Sequence, residues 1–439
     1  PDGTFYGFEE TIAEKTPGAA LSAEQAELIA QQQAETMCQI HISEYKRVEL
    51  SKEIRPNGRI DHIFVYERPN LTIGKATYRL RLVVSGDKLT GLTHFVKVPD
   101  EFYNQYKEMR SANNTLAQAA QIAMLVIYIL CIGIVGLMYL IRRKYLLWKA
   151  PLICGLFIAL LNAGAHLSQF PLFWFSYQTT SPAGTFVFSS LLQIFLNFIF
   201  MWALYTFVFM VAESLTRIAL PTLGQFWKSW TRSSGSSWTT LGNTLAAYVL
   251  VPLVFADVIL FYRITTHYFG WWTPSEQLTD PNVLASYLPW LNAVAPSLSA
   301  GFLEECLFRA FPLAAALLLG RRYGKKNWWL AGAFILQVLI FGAAHANYPA
   351  QPAYARLVEL IVFSTLMGII YLKKGLLVGI ITHTLYDLVW FALPIFISCS
   401  HYAWIQKSIV IILGLLPIAI ILVRRLQYGH WHNIDLQEC

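Results

Sequence analysis

From Leu116 onward the sequence is a succession of apolar runs, each long enough to cross roughly 30 Å of hydrocarbon as a helix. Nine spans are expected, at about 116–141, 150–170, 184–212, 239–262, 297–319, 328–346, 355–372, 375–397 and 405–423. In lipid every backbone N–H and C=O has to be paired within the segment or across a closed barrel, and runs of about twenty residues select helices. With 56% hydrophobic and only 13% charged residues, the 439-residue chain lies outside the range of soluble domains. The fold class that follows is an all-α polytopic membrane protein preceded by a polar N-terminal domain.

That domain, residues 1–112, reads as α+β. Ser22 and Gln25 have the spacing of a capping box and open a helix through about Cys38. Tyr45–Leu50, Arg59–Tyr66, Tyr78–Val84 and Leu89–Val98 are rich in β-branched and aromatic residues, and Ser85-Gly86-Asp87-Lys88 supplies turn chemistry between the last two. The pattern predicts an antiparallel sheet and resembles small PepSY-like domains attached to some membrane peptidases. Asn70-Leu71-Thr72 and Asn113-Asn114-Thr115 match glycosylation sequons, a pattern frequent by chance. The chain begins at Pro1 rather than Met, as expected of a processed or truncated product.

Charge sets the expected topology. Fifteen Lys and Arg residues, in clusters such as Arg142-Arg143-Lys144, Arg321 to Lys326 and Arg424-Arg425, follow alternate spans, whereas only Arg263, Arg356 and Lys407 lie near the other ends. The positive-inside rule then puts the N-terminal domain outside the cytoplasm and the C-terminus inside, and a bacterial plasma membrane is the expected location. Basic residues confined to short clusters without a groove motif argue against nucleic acid as a partner, although the net charge is +7. The six cysteines form no CxxC pair, so neither a disulfide framework nor a thiolate zinc site is indicated. Pro281, Pro289 and Pro296 suggest that Asn282 to Ala295 is an interfacial or re-entrant helix. The expected divisions are therefore 1–112, the first four spans in 113–284, a charged core in 285–400, and a last span with a tail in 401–439.

The fifth span carries Glu304, Glu305 and Arg309. An ionised group at a bilayer centre costs roughly 2.5 to 3.5 kcal/mol on insertion scales, so these side chains must face protein or water. Glu305 and Arg309 are i and i+4 and are expected to pair, which leaves Glu304 without a local partner and suited to act as a base. His345 closes a Phe341-x-x-x-His345 motif near the end of the sixth span, and His383 and Asp387 share one face of the eighth. At 1.5 Å per residue, Glu304, His345 and Asp387 fall in the outer half of the bilayer and His383 nearer the middle, a spread that lets the four converge.

Glu304-Glu305-x-x-x-Arg309, Phe341-x-x-x-His345 and His383-x-x-x-Asp387, in that order on successive membrane helices, resemble the CPBP family. This family comprises type II CAAX prenyl endopeptidases and bacterial relatives that include bacteriocin-processing and abortive-infection proteins. The resemblance covers about residues 285–400. It implies an intramembrane peptidase acting on a membrane-associated peptide or protein. Glu304 would be the general base, His345 would share the water, and His383 with Asp387 would stabilise the tetrahedral oxyanion or bind a metal. Glu305 and Arg309 would support them. Many members carry Asn where this chain has Asp387, and an ionised Asp cannot donate to an oxyanion. Zinc or another divalent metal held by Glu304, His345, His383 and Asp387 is one reading, toward which Asp in place of Asn leans. A metal-free pair of Glu304 and His345 is the other.

Two rival functions come from other classes. Buried charges and broken helices also build secondary transporters, although no inverted repeat is visible, and a non-catalytic member would act in immunity or as a scaffold. Several polar residues have bland readings: His166, Glu213 and Asp257 as packing or interface residues, Arg356 with Glu359 as a structural pair, and His430 with His432 as part of a loose tail.

Overall fold

The computed structural model describes residues 6–223, 225–273 and 280–433. By backbone contacts the chain divides into two units, Pro1–Glu108 with Ser176–Ser190, and Met109–Phe175 with Leu191–Cys439.

In the first unit, five antiparallel strands, β1 (Phe8–Glu9), β2 (Lys46–Ile54), β3 (Ile60–Ile73), β4 (Ala76–Ser85) and β5 (Lys88–Lys97), are ordered β1-β5-β4-β3-β2. Alternation puts Phe64 and Tyr66 of β3, Leu80, Leu82 and Val84 of β4, and Leu92 of β5 on one buried face. The Ala23–Cys38 helix covers that face with Ala26, Ala30 and Ala34, a stripe small enough for close approach. The predicted capping box is present, with the Ser22 side chain accepting from the Gln25 backbone and the Gln25 side chain from the Ser22 backbone. Each large apolar side chain buried here contributes about 1.5 to 3 kcal/mol.

In the second unit the protein is helical, and it is an integral, multi-pass membrane protein. Among the described residues seven helices are long and apolar enough to cross a membrane: Asp100–Arg142, Lys149–Ser168, Ala183–Ala219, Trp238–Phe269, Lys326–Ala344, Ala355–Lys374 and Leu376–Ile397. The bent pair Ala403–Gly414 and Leu416–Tyr428, which meet at 56°, makes an eighth only when counted as one broken span. Pro417, in the first turn of the second half, lacks the N–H that would continue the ladder. The remaining expected span differs from the others. Its helix starts at Pro289, runs through Pro296 to Glu304, opens into a π-helical turn over Glu305–Ala310, and continues as Phe311–Tyr323. Two glutamates and three arginines make this segment too charged to count as an apolar crossing. Asn282 to Ala295 is accordingly not a separate re-entrant helix: a 3-10 turn, Pro281–Ala285, precedes Pro289, which caps the start of the charged helix.

Two glycines fix how the charged helix meets Leu376–Ile397. A Cβ at Gly301 would collide with Thr384 Oγ1 and lie 3.0 Å from the Ile380 carbonyl oxygen. A Cβ at Gly379 would lie 2.9 Å from Glu305 Oε2. Only hydrogen at these positions lets the two helices approach closely enough for Glu304 and Glu305 to reach His383.

Candidate active site

The π-turn begins immediately after Glu304, a feature frequent at functional sites because its wider i→i+5 closure re-aims successive side chains. Glu304, at the end of the regular helix, keeps 22% side-chain exposure, whereas Glu305 and Arg309 retain 2% and 0%. The adjacent glutamates therefore live in different environments, one opening on a cavity and one sealed in protein.

Glu305 accepts a hydrogen bond from His383 Nδ1 at 2.9 Å. Its other oxygen is 3.6 Å from Arg309 Nε, an ion pair without a hydrogen bond. The expected Glu305–Arg309 pairing is thus looser than i, i+4 spacing on an α-helix implies, because the π-turn rotates Arg309 away. None of the three Arg309 nitrogens finds a hydrogen-bond partner among the described residues. Its guanidinium instead stacks over the Phe341 ring, 4.0 Å from the centroid, with Phe363 at 5.9 Å.

His345 caps the C-terminal end of Lys326–Ala344, and its Nδ1 donates to the Phe341 carbonyl at 2.7 Å. A carbonyl only accepts, so Nδ1 carries the proton and Nε2 is left facing the cavity. The same logic holds for His383, whose Nδ1 faces a carboxylate. The two Nε2 atoms then flank one oxygen: Glu304 Oε2 lies 3.6 Å from His345 Nε2 and 3.7 Å from His383 Nε2. Asp387 Oδ2 lies 3.7 Å from His383 Nε2. Glu304 Oε2 is buried and makes no hydrogen bond to any described residue.

All four candidates of the three motifs meet in one cavity of about 100 Å³. Contacts of 3.6–3.7 Å link His345 to Glu304, Glu304 to His383 and His383 to Asp387. Among the described residues no group of three or more His, Cys, Asp or Glu side chains is arranged to hold a metal ion. No step below runs through a metal.

The loop after His345 is pinned by the first membrane helix. Arg110 donates to the Asn347 carbonyl at 2.6 Å, and Asn113 Nδ2 to the carbonyls of Ala350 and Ala353. Asn113 is fully buried, which removes it as a glycan acceptor. The cavity also takes in residues that the sequence reading had assigned to packing or structural roles, or had not singled out. Asp257 and Tyr348 line it, as do Arg356 and Glu359, which pair with each other while Glu359 also accepts from the Tyr262 hydroxyl. The i, i+3 spacing of Arg356 and Glu359 was a legible signal for the pair, but nothing local tied it to the motifs. The C-terminal histidines are not in a loose tail: His432 exchanges backbone hydrogen bonds with Ser236 and Trp238, and Trp431 stacks on Trp238. Cys439 lies outside the described residues.

No curated protein and no solved structure matches the chain. Residues 286–389, which hold all three motifs and end two positions beyond Asp387, match the family model described as Type II CAAX prenyl endopeptidase Rce1-like.

Proposed function

We propose that the protein is an intramembrane endopeptidase that hydrolyses a peptide bond of a membrane-associated peptide or protein with water activated by Glu304 and His345. The observation that carries this reading is the convergence of Glu304 Oε2 with two imidazole Nε2 atoms in one cavity. The Glu304 carboxylate removes a proton from a water seated beside it, and His345 Nε2 accepts that water's second hydrogen and orients its lone pair toward the scissile carbonyl. With a proton on Nε2, His383 is a cationic donor held from behind by Glu305, and it hydrogen-bonds the oxyanion as charge develops there. Asp387 lies beside that donor as an acceptor and steadies the imidazolium. Glu304 then returns its proton to the leaving amine, so that the products are one new carboxylate and one new amine.

The location fits such a substrate. The site lies among helices that cross the bilayer, and the charge bias supports an N-terminal domain outside the cytoplasm with the C-terminus inside. In this reading residues 1–112 form an extracytoplasmic domain and 285–400 the peptidase core. The test is incubation of purified protein with a peptide library in heavy-oxygen water. One labelled oxygen at a new internal carboxyl terminus is the expected product. Ion-driven uptake of peptide without cleavage would favour a transporter instead.

A further inference from the structure

The walls of the cavity are unevenly charged. Glu359 is neutralised by Arg356 and hydrogen-bonded by Tyr262. Glu304 lies beside two imidazoles and Asp387 beside one. Asp257, from the middle of Trp238–Phe269, is different: it lines the same cavity, half-buried, yet makes no hydrogen bond or ion pair with any described residue. The neighbouring charge it feels is the like charge of Glu359. A carboxylate without a counter-ion in a membrane helix is expensive and marks a functional position. The same cavity is also lined by the aromatic Tyr386, Trp390 and Phe391, and Phe255 packs against the first two at 4.9 and 5.4 Å between ring centroids. A carboxylate lining one cavity together with aromatic rings is the chemistry that receives an organic cation, because the ring faces and the anion both attract positive charge. Arg356 does not reverse this preference, since its charge is already matched.

We infer that Asp257 and the aromatic wall form a specificity pocket for an ammonium or guanidinium group of the peptide substrate, supplied by a lysine or arginine side chain near the scissile bond. This rests on the peptidase reading for its substrate class but not for the binding itself. A free α-amino group offers the same chemistry, so the peptides must separate the two sources.

The experiment measures affinity for purified Glu304→Gln protein, which leaves the pocket intact, using three fluorescent peptides. One is N-acetylated with lysine, one N-acetylated with norleucine at that position, and one carries norleucine with a free amino terminus. The lysine peptide should bind about tenfold or more tighter than its acetylated norleucine counterpart, and adding Asp257→Asn should abolish that difference. Preference for the free amino terminus alone overturns the side-chain assignment. Equal binding of all three, or a lysine preference untouched by Asp257→Asn, overturns the cation pocket. The same lysine and norleucine peptides given to wild type keep the two ideas apart. Hydrolysis with equal kcat/KM for both leaves a peptidase without the pocket, whereas lysine-selective binding with no hydrolysis leaves the pocket without the peptidase.

Discussion

Replacing Glu305 by Gln should separate what holds the site together from what makes it work. Glu305 touches two cations or cation-forming groups at once: Arg309, fully buried and 3.6 Å away, and His383 at hydrogen-bond distance. Removing the charge strands Arg309 in protein, and breaking a buried pair costs about 3 to 5 kcal/mol. The Phe341 ring at 4.0 Å still holds the guanidinium, worth about 2 kcal/mol when desolvated, so the loss belongs at the lower end, about 3 kcal/mol. Arg309→Met should cost a similar amount by leaving Glu305 short of its counter-charge. The double variant Glu305→Gln, Arg309→Met buries neither unmatched charge and should recover most of the stability. Activity should follow a different pattern. Arg309→Met should keep turnover per folded molecule, whereas Glu305→Gln and the double variant should both lose about 10²-fold, because the amide no longer supports a cationic His383. Thermal unfolding in detergent reads the first quantity and kcat on folded protein the second. A double variant as unstable as the sum of the singles, or one that regains full turnover, would refute the reasoning.

Three further outcomes follow from the geometry. Gly301→Ala should destabilise the protein by about 1 to 3 kcal/mol through overpacking against Thr384, and should depress kcat more than that stability loss explains by moving Glu304 away from His383; unchanged kcat would mean that this helix crossing does not set the site. Asp387→Asn should retain turnover within about tenfold, since an amide oxygen still accepts beside His383, and abolition of activity would give the carboxylate charge a role beyond steadying. With the native cysteines replaced, an impermeant thiol reagent on intact cells should label Asp87→Cys but not Lys326→Cys, and the opposite pattern would overturn the assigned sidedness.

The parts legible in the sequence were those whose signal is local. The capping box at Ser22, the four strands read from β-branched and aromatic runs, and most apolar spans depend on signals along a short stretch of chain, and these stand as read. The site motifs were legible because charge inside an apolar run has no cheap alternative explanation. The hidden parts depend on contacts between distant segments. The π-turn after Glu304 leaves no mark in residue spacing, so the Glu305–Arg309 pair looked tighter than it is and the bond from His383 to Glu305 was missed. Pro289 and Pro296 looked like breaks, yet one starts the helix and the other is accommodated within it, with Pro289, Ala295 and Ser297 buried against neighbouring segments. Asp257 could not be tied to the site because only the crossing of its helix with the others brings it to the cavity that holds Glu304.

The central claim is that Glu304 is the base that activates water. Gln at this position keeps the shape and the neutral hydrogen-bonding capacity but cannot take a proton, and loss of a general base typically costs about 10² to 10⁴ in rate. The most direct measurement compares peptide cleavage by purified wild type and Glu304→Gln, with both shown to unfold at the same temperature. The expected result is cleavage by wild type and a loss of at least about 10²-fold in the variant with folding unchanged. Wild-type turnover by a well-folded Glu304→Gln protein would contradict it.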